Sequence, residues 1–308
     1  MIPRALIIGF GSIGERHARI LEGLGFVVSI VSRRHDCAGR PVFSSLAEAQ
    51  AGGPFDYVIV ANETARHADT LAQLAASAHT GFVLVEKPLV HAKTPLPAHR
   101  FRGAAVGYNL RFHPLVQALR AAVAGRSVQM ANFQVGQHLE AWRPGRDVAT
   151  SYSASRAPGG GVLRDLSHEL DLAIWLFGPW RRVAAIGGRL GTVTVDADDG
   201  WGILLSCDRC PVVTMDINSL DRIGRRTITV HTDGETVRTD LVASTLEVGQ
   251  VKKQLVIDRD QTYAAMHQAV FDGAKDVCTF EEGARAVDLI EAIEQATKER
   301  RWIERSAA

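Results

Sequence analysis

The sequence predicts an α/β fold in two parts. Residues 1–113 form a doubly wound parallel sheet, and residues 114–308 an α+β domain on a large, mostly antiparallel open sheet. Three observations carry this. Short apolar runs alternate with helical patterns through the first hundred residues. A glycine-rich turn joins the first run to the first helix. From Arg182 to Val248, strand-like runs follow one another at short spacing.

Taken in order, Ala5–Gly9 is a short apolar strand, and Ile13, His17, Ile20, Leu21 and Leu24 have helical spacing. Val27–Val31 is β-branched, Leu46–Ala51 a short helix, Tyr57–Ala61 a buried strand and His67–Ala76 an alanine-rich helix. Phe82–Val85 and Ala105–Tyr108 complete the series. Continuous apolar strands separated by helices read as a parallel sheet covered on both faces. After Pro114 come a helix, Leu115–Val123, and an alternating strand, Val128–Val135. A polar, arginine-rich segment (136–158) follows, then a glycine triplet at 159–161 opening a helix expected to run to Phe177. Turn signals at Gly187-Gly188, Asp198-Asp199-Gly200 and Asp233-Gly234 punctuate the strands beyond. Helices near 261–274 and 281–299 close the chain.

The 308 residues suffice for one large or two ordinary domains. A net charge of +1 gives no global field to recruit nucleic acid or an anionic membrane. No apolar run approaches the roughly 20 residues that cross a bilayer. Met1 leads almost at once into a strand, without the pattern of a signal peptide, so a cytoplasmic protein is expected. Four scattered cysteines make no disulfide framework. Cys207 and Cys210 form a C-x-x-C between two strand-like runs, which reads as a hairpin turn with free thiols.

Gly9-Phe10-Gly11-Ser12-Ile13-Gly14 is a G-x-G-x-x-G between strand and helix. The first glycine makes the tight turn, the second lets backbone approach a pyrophosphate, and the third lets helix and strand pack closely. The helix start, with Ser12 and Ile13, offers N–H groups and positive partial charge to phosphates. This is a Rossmann dinucleotide site. NAD sites usually place an acid about 20 residues on, for the ribose hydroxyls. Ser32-Arg33-Arg34 stands there instead, suited to a 2′-phosphate, so NADP(H) is expected over NAD(H). Ala61, Asn62, Glu86 and Lys87, at strand carboxyl ends, complete the expected cofactor contacts.

The G-x-G-x-x-G followed by His17, Glu86-Lys87-Pro88 after a buried strand, and a Gly-Gly-Gly helix carrying Asp165, His168 and Asp171 together resemble the Gfo/Idh/MocA oxidoreductases across nearly the whole chain. The resemblance implies a Rossmann domain and a C-terminal α/β domain whose open sheet often makes an oligomer interface, here a homo-oligomer (dimer or tetramer). It also implies hydride transfer between NAD(P) and a sugar, cyclitol or related polyol. Lys87 matches the family's catalytic lysine and His168 its acid/base histidine. Oxidising a secondary alcohol needs a base for the hydroxyl proton, which histidine suits near neutral pH, while an ammonium stabilises the developing alkoxide. Asp165 is expected to share a helix face with His168 and orient it. The family commonly has that aspartate four residues before the histidine, where this chain has Arg164. Asp165, His168 and Glu169 could alternatively ligate a metal, although no further ligand is evident and no metal is expected.

Trp142, Arg143, Arg146, Tyr152 and Arg156 lie just before the catalytic helix, and Arg111 is expected to reach the same cleft from the Rossmann side. This looks like the branch associated with bacterial surface-sugar biosynthesis. The arginines either bind an acidic or nucleotide-linked sugar, with Trp142 or Tyr152 stacking on a ring, or form salt bridges with Glu140, Asp147 or their neighbours. Two other functions stay open: a non-catalytic NADP-binding sensor or partner protein, and NAD-assisted glycoside hydrolysis.

Overall fold

A computed structural model describes residues 2–34, 36–77, 79–138, 159–191 and 196–306. The chain divides into two units, Met1–Phe112 with Arg259–Ala284, and His113–Asp258 with Arg285–Ala308.

The first unit holds a parallel six-stranded sheet in the order β3-β2-β1-β4-β5-β6. Its strands are β1 (Arg4–Ile8), β2 (Val27–Val31), β3 (Val42–Phe43), β4 (Tyr57–Val60), β5 (Phe82–Val85) and β6 (Gly103–Val106). This is the strand order of doubly wound dinucleotide-binding sheets, whose topological switch point falls between β1 and β4. Its helices are α1 (Ser12–Gly23), α2 (Leu46–Ala51) and α3 (His67–Ala76). Register explains why these runs are continuously apolar. Ala5, Val28, Tyr57, Ile59, Leu84 and Ala105 line one face, and Leu6, Val58, Val60, Val83 and Val85 the other; all are buried.

The first face is where the structure departs from a boundary at 113/114. A further helix, α7 (Gln261–Asp272), packs there beside α1. Its Met266 and Val270 join the core of Ala5, Ile7, Ile30 and Ile59. Its Phe271 lies 4.9 Å from the ring of Tyr57, 4.8 Å from Phe82 and 5.3 Å from Phe26. Residues 259–284 therefore complete the first unit, and α7 shares that face with Ala18 and Leu21 of α1.

The second unit is built on nine strands in the order β14-β13-β12-β11-β7-β10-β9-β8-β15. These are β7 (Val128–Gly136), β8 (Trp180–Gly188), β9 (Gly200–Cys207), β10 (Cys210–Asn218), β11 (Arg225–Thr232), β12 (Thr236–Asp240), β13 (Thr245–Val248), β14 (Val251–Gln254) and β15 (Ile303–Glu304). Every pairing is antiparallel except β7 with β10. Phe133, Met215, Ile203, Ile228, Val213 and Leu205 form its buried inner rows, as alternation requires. The helix α4 (Pro114–Val123) starts with His113 as N-cap and proline in its first turn. The chain ends with α8 (Phe280–Glu299) and β15.

The helix expected over 159–177 is two helices. A single turn, α5 (Val162–Asp165), ends at Leu166, and α6 (His168–Phe177) starts after Ser167. Between them the backbone bonds tighten to the i+3 pattern, Ser167 N–H to Arg164 O and Glu169 N–H to Leu166 O. Asp165 and His168 thus sit on different helices.

Candidate active site

In the first unit the parallel ladder continues past the strand ends. Gly9 N–H donates to Val31 O, Ala61 N–H to Ile8 O, Glu86 N–H to Val60 O, and Gly107 N–H to Val85 O, all within 3.0 Å. Gly9, Ala61, Glu86 and Gly107 therefore stand in one row along the carboxyl edge of the sheet, where such folds bind ligands.

The glycine loop occupies the switch point, and each glycine has its own reason. Gly9 has φ +100°, and a Cβ there would meet the Asn62 backbone at 2.6 Å. A Cβ on Gly14 would lie 2.1 Å from Gly9 O. Gly11 faces open space, with nothing within 4 Å of a Cβ. It is also the N-cap of α1, and no side chain caps that helix, so the first-turn N–H groups of Ser12 and Ile13 are not capped by one.

At the end of β2, Ser32 Oγ accepts the Arg34 N–H at 3.0 Å, and Arg33 and Arg34 are exposed. The nearby Arg40 is bound in a two-pronged pair to Glu22, 2.7 Å on each arm. At the end of β4, Asn62 Nδ2 donates to Thr70 Oγ1 at 2.9 Å, while Asn62 Oδ1 is buried with no hydrogen-bond partner. His67 ties this loop to the next. Its Nε2 lies 3.2 Å from Asn62 O, and its Nδ1 lies 3.2 Å from both Pro88 O and Leu89 O.

After β5 comes Glu86, a buried carboxyl that accepts from the His17 ring at 2.9 Å and from the Lys87 N–H at 3.1 Å. Burial opposes its charge, but the His17 hydrogen bond and the neighbouring Lys87 outweigh burial and hold it below the usual glutamate range. Gly107 makes room for it, since a Cβ there would lie 2.8 Å from Glu86 Oε1. Arg111 is fully buried and pairs with Glu282 at 3.0 Å. Glu282 is a partner not named for it from the sequence.

In the second unit His168 opens α6 and is buried with Glu169 and Asp171. Asp198, read from the sequence only as part of a turn, anchors the single turn before it. Val162 N–H donates to Asp198 O at 3.0 Å and Leu163 N–H to Asp198 Oδ2 at 2.9 Å. Gly161, at φ +115°, leaves room for that carboxylate. Arg164 is buried in a pair with Glu294, 2.7 and 3.3 Å. Glu169 is likewise clamped by Arg226, 2.7 and 3.0 Å. No cluster able to hold a metal ion occurs among the described residues. Trp142, Arg143, Arg146, Tyr152 and Arg156 lie outside the described residues.

Cys207 and Cys210 face each other across the β9–β10 turn as buried free thiols. Burial pushes them up to about 12 and about 11, so both are protonated thiols near neutral pH. No helix among the described residues is long and apolar enough to cross a membrane.

No curated protein matches the chain by sequence. Solved structures do match in fold. GenD2 from gentamicin A biosynthesis, in complex with NAD, is 22% identical with a TM-score of 0.81, covering 99% of this chain and 97% of that one. The WlbA dehydrogenase from Bordetella pertussis, in complex with NADH and UDP-GlcNAcA, is 19% identical with a TM-score of 0.81, covering 100% of both chains. A levoglucosan dehydrogenase in complex with NADH is 15% identical with a TM-score of 0.83, covering 99% of this chain and 100% of that one. The model of the GFO/IDH/MocA C-terminal domain matches residues 116–238. Residues 116–238 therefore belong to the GFO/IDH/MocA C-terminal domain family, and the chain around them has the two-sheet fold of the Gfo/Idh/MocA oxidoreductases.

Proposed function

We propose that the protein is an NADP(H)-dependent oxidoreductase that moves a hydride between nicotinamide and a hydroxyl or carbonyl carbon of a sugar-like, anionic or nucleotide-linked, substrate. The observation that carries this is the glycine loop at the β1/β4 switch point, with Glu86-Lys87 on the same sheet edge. The residues fit a dinucleotide. Gly11 faces open space at an uncapped helix start, and the orphaned Asn62 Oδ1 awaits a donor beside it. The nicotinamide, when bound, supplies the hydride acceptor or donor. Ser32, Arg33 and Arg34 bear the 2′-phosphate preference, since no acid stands at the end of β2. Lys87 stabilises the charge developing on the substrate oxygen, and His168 exchanges its proton. Arg143 and Arg146 supply the substrate's anion site, with Trp142 or Tyr152 against a ring. A neighbour of this fold bound to NADH and UDP-GlcNAcA supports the substrate class. The half-exposed outer sheet row of Met130, Leu204 and Val212, with exposed Ile186, supports a homo-oligomer.

The test is a thermal-shift titration with NADPH, NADP, NADH and NAD. A ligand at about 100 times its Kd adds about 2.7 kcal/mol, a shift of a few degrees. Selective stabilisation by the phosphorylated pair, lost in Arg33→Ala, is the expected outcome. A response to NAD and NADH alone would refute the cofactor preference. Lys87→Ala and His168→Ala should each abolish turnover of sugars in a nucleotide-linked screen while sparing the thermal shift. Silence towards all four nucleotides would refute the dinucleotide site itself.

A further inference from the structure

We propose that Tyr57 and His267 are positioning residues for Lys87, acting through His17 and Glu86 as one directed hydrogen-bond chain inside the first unit. The proposal rests on the reading of Lys87 given above. The four residues come from four places in the sequence: β4, α7, α1 and the end of β5. Tyr57 Oη lies 3.0 Å from His267 Nδ1. His267 Nε2 lies 2.9 Å from His17 Nδ1, and His17 Nε2 lies 2.9 Å from Glu86 Oε1. Tyr57, His17 and His267 are each 0% exposed.

Chemistry fixes the direction of the chain. A carboxylate only accepts, so His17 Nε2 carries the hydrogen. A neutral imidazole has one N–H, so His17 Nδ1 accepts, and His267 Nε2–H is its donor. His267 Nδ1 is then left to accept the Tyr57 hydroxyl. In this polarity every donor meets an acceptor. A doubly protonated His17 would turn His267 round to donate to Tyr57, and the phenol proton would have no place in the chain. Burial pushes His267 well below the usual histidine range. Burial, with Glu86 close by, pushes Tyr57 well above the tyrosine range. Both directions keep these two side chains neutral near pH 7, as the polarity drawn from the hydrogen bonds requires.

The Glu86 end of the chain meets Lys87. The Glu86 oxygen not facing His17 accepts the Lys87 N–H at 3.1 Å. Gly107 gives the carboxylate one seat, because a Cβ there would reach 2.8 Å from Oε1. An apolar core could fill the same space without desolvating four polar side chains, so packing alone does not explain the chain. What the chain adds is a fixed carboxylate orientation, and with it a fixed peptide from which the Lys87 side chain departs. His17 and Glu86 hold that peptide directly; Tyr57 and His267 hold His17 in the tautomer that can donate.

The test does not depend on turnover. Histidine ring nitrogens are read by long-range proton–nitrogen NMR on nitrogen-15-labelled protein at neutral pH. Lysine amines are read as carbon-13 dimethyl signals after reductive methylation, with Lys87 assigned by its loss in Lys87→Arg. Single Nε2–H tautomers are expected at His17 and His267. Tyr57→Phe, which keeps the ring and its packing on Phe271, and His267→Leu are both expected to shift the Lys87 signal. His267→Gln, which still donates to His17, is expected to restore it. Mixed tautomers at His17, or a Lys87 signal unchanged in both Tyr57→Phe and His267→Leu, would overturn the chain. Turnover surviving Lys87→Ala would instead overturn the reading of Lys87, while leaving the tautomer result as it stands.

Discussion

At the residue scale, His113 shows how one side chain can serve structure and carry a pH dependence. Its Nδ1 accepts the Leu115 N–H at 3.3 Å as the N-cap of α4. That acceptor role needs an unprotonated ring nitrogen. Burial, and then the positive charge of Arg226, push its pKa down to about 4. The unfolded chain would titrate it near 6.5, so between those values the unfolded state binds the extra proton. His113 therefore contributes stability that is complete above about pH 6.5 and is lost as the pH falls through about 4. Burial lowers His67 and His267 in the same sense. The Tm is expected to drop between pH 7 and pH 5. His113→Asn keeps a capping acceptor and removes the titration, so calorimetry at the two pH values should find a smaller gap in the variant. An equal gap would show that His113 does not titrate in this way.

At the element scale, the glycine loop separates folding from binding within one turn. Gly14→Ala sets a methyl 2.1 Å from Gly9 O, a backbone atom that cannot move without lifting α1 from β1. Gly11→Ala meets nothing within 4 Å and sits at φ −85°, which any residue adopts. The expected signatures are opposite. Gly14→Ala costs about 1–3 kcal/mol and lowers the Tm by several degrees. Gly11→Ala leaves the Tm unchanged and loses the stabilisation by NADPH, since its methyl fills the space left for a pyrophosphate. Thermal shifts with and without NADPH read both, and a full NADPH response in Gly11→Ala would place the phosphates elsewhere. The steric roles of Gly9 and Gly14 were legible because strand, turn and helix are neighbours in sequence. The break between α5 and α6 was not, for two reasons. The helix α6 is buried nearly all round, so apolar periodicity is weak there. Its preceding turn is held by Asp198 and Glu294, 35 and 130 residues from their partners. The buried chain behind Glu86 was equally invisible, as His267 lies 250 residues from His17.

At the scale of the whole molecule, the order of elements could be read from the sequence, but the return of the chain could not. Periodicity marks α7 as a helix without saying which sheet it covers. Met266, Val270 and Phe271 would suit either apolar face, and only the structure puts them over Tyr57 and Ile59. Covering that face with three such side chains contributes on the order of 5 kcal/mol. The total stability of a domain is only about 5–15 kcal/mol, so the first unit cannot spare it. Residues 1–112 alone are therefore expected to lack a cooperative melt, although they contain every first-unit residue assigned to the nucleotide. The same residues joined by a flexible linker to 259–284 should melt cooperatively and regain the NADPH shift. His267 and Met266 return with that segment, so both the buried chain and the core face are restored together. If residues 1–112 melted cooperatively by themselves with a full NADPH response, α7 would be dispensable to the nucleotide site. The positioning role of His267 would then have to appear in the Lys87 signal alone.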